Sequence, residues 1–327
     1  MPETQKLTYL EAVNAALRRA LDEIPETLVY GEDVGKPGGV FGATKGLRKQ
    51  FGSRVFDTPI SEAAILGSAL GAAMLGRRPI VEIMWVDFSL VALDQLVNQA
   101  ANTRYVSQGR LQAPMVVRTQ HGSMPGACAQ HSQSLEAFFA HVPGLRVCMP
   151  ATAQDAYDLL LAAVHADDPV VVIENRNLYF GEKEEVVLGG AVPAVGGAAV
   201  RRPGTQVTIV TWGAMLQRVL DAAERLAGQG VSAEVIDARW LNPFDTDRVL
   251  DSVDRTARLV VVHEANLTGG FGAEVVARVA EAGYLAIPPL RIAVPDARIP
   301  AAPRLLATLV PDADIIARDV AALVRSG

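Results

Sequence analysis

Short runs of aliphatic and β-branched residues alternate along this chain with stretches whose apolar positions recur every three or four residues. That alternation restricts the fold more than any other feature. Residues 28–30, 55–57, 79–85, 115–119, 145–149 and 170–174 read as strands. Residues 8–22 read as a helix, with Leu10, Val13, Leu17 and Leu21 on one face and Thr8 and Glu11 fitting a capping box. Further helices are expected over 62–75, 88–105, 134–140 and 153–166. A second series follows: strands at 207–211, 233–237, 259–263 and 291–294, helices at 216–227, 245–253, 272–281 and 314–324. Alternating strand and helix imply mostly parallel sheets covered by helices on both faces. The expected fold class is therefore α/β, built as two three-layer domains.

Length agrees, since 327 residues make about two domains at roughly 150 residues each. Between 181 and 204 lie six Gly and two Pro with few large side chains, which marks the crossing. We place the first domain at 1–185, a linker at 186–204 and the second domain at 205–327. With half its residues hydrophobic, the chain can bury large cores, and disorder is excluded. A net charge of −6 offers no footprint for nucleic acid or an anionic membrane. Residues 1–6 are polar, and the longest near-continuous apolar run, 65–76, is too short to span a bilayer. Two cysteines, Cys128 and Cys148, suit a reduced compartment, and a cytoplasmic setting is expected.

Several chemistries lack their motifs. There is no G-x-x-x-x-G-K-[ST], no C-x-x-C, no metalloprotease His pair and no G-x-S-x-G. Gly270-Phe271-Gly272 is an incomplete dinucleotide fingerprint and reads as a tight turn into a helix.

Three features remain. Asp57-Thr58-Pro59-Ile60-Ser61-Glu62 spans a strand-to-helix junction, where Ser61 or Thr58 can cap the helix and Glu62 falls in its first turn. Taken alone, Glu62 is either an ordinary first-turn acid or a functional carboxylate. Gly67, Gly71 and Gly76 line the same helix and allow close approach, either of an internal neighbour or of another subunit. Residues 129–145 carry His131 and His141 beside a Gly-rich loop; an acid/base centre and a structural role both suit them.

Read together, the motifs carry a resemblance. DTPISE (57–62), GAAMLGRRPIVEIMWVDF (71–88), DQLVNQAA (94–101), HSQSLEAFFAHVPGLRV (131–147), DDPVVVIEN (167–175) and RLVVVHEANLTGGFGAEV (258–275) occur in order. The chain resembles the β subunit of the thiamine-diphosphate-dependent E1 component of 2-oxoacid dehydrogenase complexes, of the pyruvate, branched-chain or acetoin type. The resemblance implies a pyrimidine-binding domain followed by a transketolase C-terminal-like domain. It implies that Glu62 bonds N1′ of the cofactor aminopyrimidine and favours the tautomer that activates the thiazolium carbon. It further implies that Phe88 stacks on that ring, that His131 assists acyl transfer to a lipoyl arm, and that Glu32 lies in a polar passage between paired sites. A potassium site is implied at Met115, Ala163, Val164, Ala166 and Asp168, mostly through main-chain carbonyls.

No Gly-Asp-Gly occurs, so magnesium and the diphosphate are expected on an α subunit, with the cofactor shared in an α2β2 assembly. The implied partners are that α subunit, a second β subunit, the E2 lipoyl acyltransferase and a 2-oxo acid. Departures from the family pattern fall at His121, Trp85, Asp155-Ala156-Tyr157-Asp158 and residues 299–303. Two alternatives stay open: a thiamine-dependent acyl transferase or ligase that uses no E2, and a non-catalytic subunit of the same fold.

Overall fold

The computed structural model describes residues 2–326. The chain forms two units: one takes residues up to His121 and returns for Phe138–Val195, the other takes Gly122–Ala137 and the chain from Gly196 onward. Up to Leu188 the elements are β1 (Glu3–Leu7), α1 (Tyr9–Glu23), β2 (Thr27–Gly31), α2 (Leu47–Phe51), β3 (Val55–Asp57), α3 (Glu62–Met74), β4 (Arg78–Ile83), α4 (Thr103–Val106), β5 (Val116–His121), α5 (Glu136–Ala140), β6 (Arg146–Cys148), α6 (Ala153–His165), β7 (Val170–Asn175) and β8 (Glu184–Leu188).

In the first unit the strands hydrogen-bond in the order β6-β7-β5-β4-β2-β3, every pairing parallel. All residues of β5 and β7 are buried, including Arg118, Thr119, Gln120 and His121 of β5; only β7, with Val170–Ile173, reads as a near-continuous apolar run. The capping box forms: Thr8 Oγ1 accepts the Glu11 N–H at 3.2 Å and Glu11 Oε2 accepts the Thr8 N–H at 2.8 Å. Below it α1 packs along α6 and buries Val13, Leu17 and Leu21. Each such side chain contributes about 1.5–3 kcal/mol.

Three expectations change. Residues 3–7 form β1, antiparallel to β8, so ordered strand replaces the start of the stretch read as a linker. Its end becomes β9 (Ala199–Arg202), and the units divide between Val195 and Gly196. The single helix expected over 88–105 breaks into a 3₁₀ stretch (Val86–Ala92), a π-helical stretch (Asp94–Ala100) and α4. Apolar periodicity cannot register such a break, because tighter and wider turns still bring residues such as Leu96 and Ala100 to the buried side.

In the second unit β9 is followed by β10 (Val207–Thr211), α7 (Met215–Ala227), β11 (Ala233–Asp237), β12 (Trp240–Asn242), α8 (Thr246–Thr256), β13 (Leu259–Asn266), α9 (Gly272–Ala282), β14 (Leu290–Val294), α10 (Pro303–Leu306) and α11 (Ala313–Ser326). Its sheet runs β14-β13-β10-β11-β9, parallel except for the edge strand β9. Leu259, Val260, Val261 and Val262 of β13 are fully buried, and α7 packs against α11. Among the described residues no helix is long and apolar enough to cross a membrane.

Candidate functional site

Glu32, Glu62 and Phe88 converge because each follows the carboxyl end of a strand. Glu32 comes after β2, Glu62 opens α3 after β3, and Phe88 lies in the 3₁₀ stretch after β4. These three strands are neighbours, so the residues share the carboxyl edge of the sheet, where open α/β sheets bind ligands. α3 packs directly on the stretch that carries Phe88. β2 comes so close to β4 that a Cβ on Gly31 would lie 2.6 Å from the Glu82 carbonyl oxygen, so glycine is required there. The Asp57 carboxylate accepts the Gly35 and Lys36 N–H groups at 2.6 and 3.0 Å, tying the Gly-rich stretch after Glu32 to the end of β3.

The Glu62 carboxylate is half-buried and takes part in no hydrogen bond among the described residues. Neither expected cap is made: Ser61 forms no side-chain capping bond, and Thr58 Oγ1 is buried without a partner. Burial pushes the Glu32 carboxyl above its usual range, and the charges of Asp33 and Glu62 push it further. Two acids thus sense one another at this edge. Phe88 is half-buried, and its N–H donates to the Trp85 carbonyl at 3.0 Å. Trp85 has φ 71°, a conformation bulky residues rarely adopt; the Arg176 guanidinium lies 4.3 Å from its ring centroid and Phe41 meets it edge-on at 5.2 Å.

A buried ionic cluster lies across the neighbouring strands, and sequence reasoning passed over it. Arg118 of β5 donates to Glu82 of β4 at 2.7 Å and, through two nitrogens, to Glu174 of β7 at 2.7 and 2.8 Å. Tyr179 donates to the same Glu174 carboxylate. Burial raises the Glu82 carboxyl, the Arg118 charge opposes that rise, and Glu174 adds to it. One charged residue inside each of three apolar strands was the available signal.

His131 belongs to the Gly122–Ala137 segment and therefore to the second unit. His121 is buried at the end of β5, and His141 is exposed. In the second unit Trp212 donates to Glu136 Oε1 at 3.3 Å and stacks on His263 with centroids 5.4 Å apart. Burial raises the Glu136 carboxyl to about 7 and lowers His263 to about 4. Gly270 and Gly272 press on the His263 ring, where an added Cβ at either would come within 2.6 Å. Close approach to a neutral histidine, rather than a nucleotide, explains these glycines.

The residues expected to bind potassium have other partners. Arg78 donates through Nη1 to the Val164 and Ala166 carbonyls, both at 2.9 Å, and through Nη2 to Asp167. The Met115 carbonyl accepts the Val170 N–H and the Ala163 carbonyl accepts the Ala166 N–H. The Asp168 carboxylate pairs with Arg104 and Arg146 and borders a cleft of about 1030 Å³ that also includes Tyr105 and Gly144. A second cation beside the guanidinium would meet like charge, so the donor set does not fit potassium while Arg78 stays in place.

Residues 5–181 match the family model described as "Transketolase, pyrimidine binding domain", and residues 196–316 match "Transketolase, C-terminal domain". A solved "Split gene transketolase, inactive beta4 tetramer" shares the fold with a TM-score of 0.81, covering 98% of this chain and 99% of that one at 24% identity. These define the class, a two-domain transketolase-like protein. The β subunit of acetoin:2,6-dichlorophenolindophenol oxidoreductase from Cupriavidus necator is 40% identical over 99% of both chains. Two Bacillus subtilis proteins, the β subunit of the pyruvate dehydrogenase E1 component and that of 2-oxoisovalerate dehydrogenase, are each 41% identical, over 90% and 91% of this chain and 92% and 91% of theirs. The chain belongs to the family of E1 β subunits of 2-oxoacid dehydrogenases, which are oxidoreductases.

Proposed function

We propose that this chain is the β half of an α2β2 E1 that decarboxylates a 2-oxo acid or cleaves acetoin, and passes the acyl group to a lipoyl-bearing E2. The observation that carries the reading is the grouping of Glu32, Glu62 and Phe88 after three adjacent parallel strands, with the Glu62 carboxylate unpaired. Thiamine diphosphate fits this edge: the open carboxylate, the half-buried aromatic ring and the orphaned Thr58 hydroxyl are groups a substituted aminopyrimidine can engage. When bound, the cofactor supplies the thiazolium carbon that attacks the substrate carbonyl and stores the electron pair left by the departing group. Glu62 would hold a proton at the aminopyrimidine N1′, and Phe88 would pack on the ring. Glu32, whose carboxyl is pushed up by burial and by the charges of Asp33 and Glu62, lies in the polar passage beside Glu62. His131 assists transfer to the lipoyl arm.

Diphosphate and magnesium fall to the α subunit, since the chain has no Gly-Asp-Gly and, among the described residues, no group of three or more His, Cys, Asp or Glu able to hold a metal. The outer face of α3 supports a partner there. Gly71 has no atom within 4 Å of an added Cβ, and Met74 and Leu75, three and four residues on, are exposed. Glu62→Gln keeps the side-chain shape and loses the titrating proton. It is expected to cut turnover by about a hundredfold or more while α–β co-purification is unchanged. Wild-type turnover in that variant would remove the assignment.

A further inference from the structure

His131 sits in a stretch with no strand or helix, anchored near both of its ends. Residues 122–135 are turn and coil between β5 and α5. At the first end, Ser123 N–H and Ser123 Oγ both donate to Glu264 Oε1 at 2.6 Å, and both residues are buried. Glu264 lies within the buried part of β13, between the fully buried His263 and the buried Ala265, so the acceptor is held by a rigid element. At the second end, Glu136 accepts from Trp212. Weaker ties lie between: Gly126 N–H donates to the Ala301 carbonyl and Arg298 donates to Gln133. All these partners belong to the second unit, although β5, from which the segment leaves, belongs to the first.

We propose that Glu264 is a positioning residue for His131, fixing the 122–137 segment through its paired acceptance from Ser123. The inference rests on the role given to His131 above. A carboxylate that accepts two donors from one residue constrains both its backbone and its side chain, and charge-assisted bonds in a buried setting are the strong kind. Removing them leaves the segment to open locally, while the sheet that carries Glu62 keeps its own hydrogen bonds.

The test uses the co-expressed α–β holoenzyme with Glu264→Ala, Glu264→Gln and His131→Ala. Hydrogen–deuterium exchange reads the 122–137 peptide. Two activities are compared: acyl transfer to a lipoyl domain, and turnover with an artificial electron acceptor. Glu264→Ala is expected to speed exchange in 122–137 by about tenfold, with peptides of β2, β4 and β5 unchanged. It should lower lipoyl transfer about tenfold and acceptor-coupled turnover less than about threefold, and Glu264→Gln, which keeps an acceptor oxygen, should restore most of the transfer. Unchanged exchange in 122–137 overturns the proposal. So does a parallel fall of both activities with exchange rising along the whole chain. If His131→Ala shows the split and Glu264→Ala does not, the clamp alone falls. If His131→Ala leaves transfer intact, the role of His131 falls and the positioning claim with it.

Discussion

At the scale of single residues, the buried acids Glu82, Glu174 and Glu136 meet the same physics in two ways. Glu82 and Glu174 share Arg118, and removing the cation would strand two carboxylates inside the sheet. Arg118→Met is expected to cost about 3–5 kcal/mol, read as a lower urea midpoint at pH 7.5. Glu136 has no cation and stays protonated instead, to about 7 against an ordinary 4.5. Between those values the folded state holds a proton that the unfolded state has released. The stabilisation is therefore complete below pH 4.5 and is lost as pH rises through 7. Glu136→Gln keeps an acceptor for Trp212 without the titration. Its melting temperature should match wild type near pH 4.5 and exceed it above pH 7.5, by the equivalent of up to about 3 kcal/mol. A difference that does not vary with pH would refute this. His263 titrates in the opposite sense but is common to both proteins, so it cancels in the comparison.

At the scale of elements, α3 shows how a helix can be built outward as well as inward. Ile65, Leu66, Ala69 and Ala73 bury one side, while Gly71 faces no atom of its own chain. Gly71→Phe should leave the fold of the chain intact, since glycine is among the poorest helix formers and nothing opposes the new side chain. It should abolish the α–β complex in size-exclusion chromatography; an unaffected complex would place the α subunit elsewhere. The start of this helix was legible, because a short strand, a proline-containing turn and a first-turn acid are local signals. The 88–105 stretch was less so. Apolar spacing reports which side is buried, and 3₁₀, α and π turns satisfy it alike when Val86, Ala92, Leu96 and Ala100 all point inward. β1 was missed because its residues are exposed and polar, and only pairing with β8 makes them a strand.

At the scale of the whole molecule, the proposed function gives this chain half of a cofactor site. Calorimetric titration of thiamine diphosphate with magnesium is expected to show saturable binding to the co-expressed α–β pair and none to this chain alone. Binding by the chain alone would relocate the diphosphate. The sequence by itself determined the α/β class and the family, because strand ends, turns and ordered motifs are local signals. Only the tertiary structure decided which strands are neighbours, and hence that Glu82, Arg118 and Glu174 meet across separations of 36 and 56 residues. It also decided that Arg78 takes the carbonyls expected to hold potassium and that Ser123 reaches Glu264, 141 residues away. The physical reason is the same in each case. Periodicity and motif record what one segment buries and how it turns, whereas a hydrogen-bond partner for a buried charge is chosen by whichever distant segment the packed sheet brings within reach.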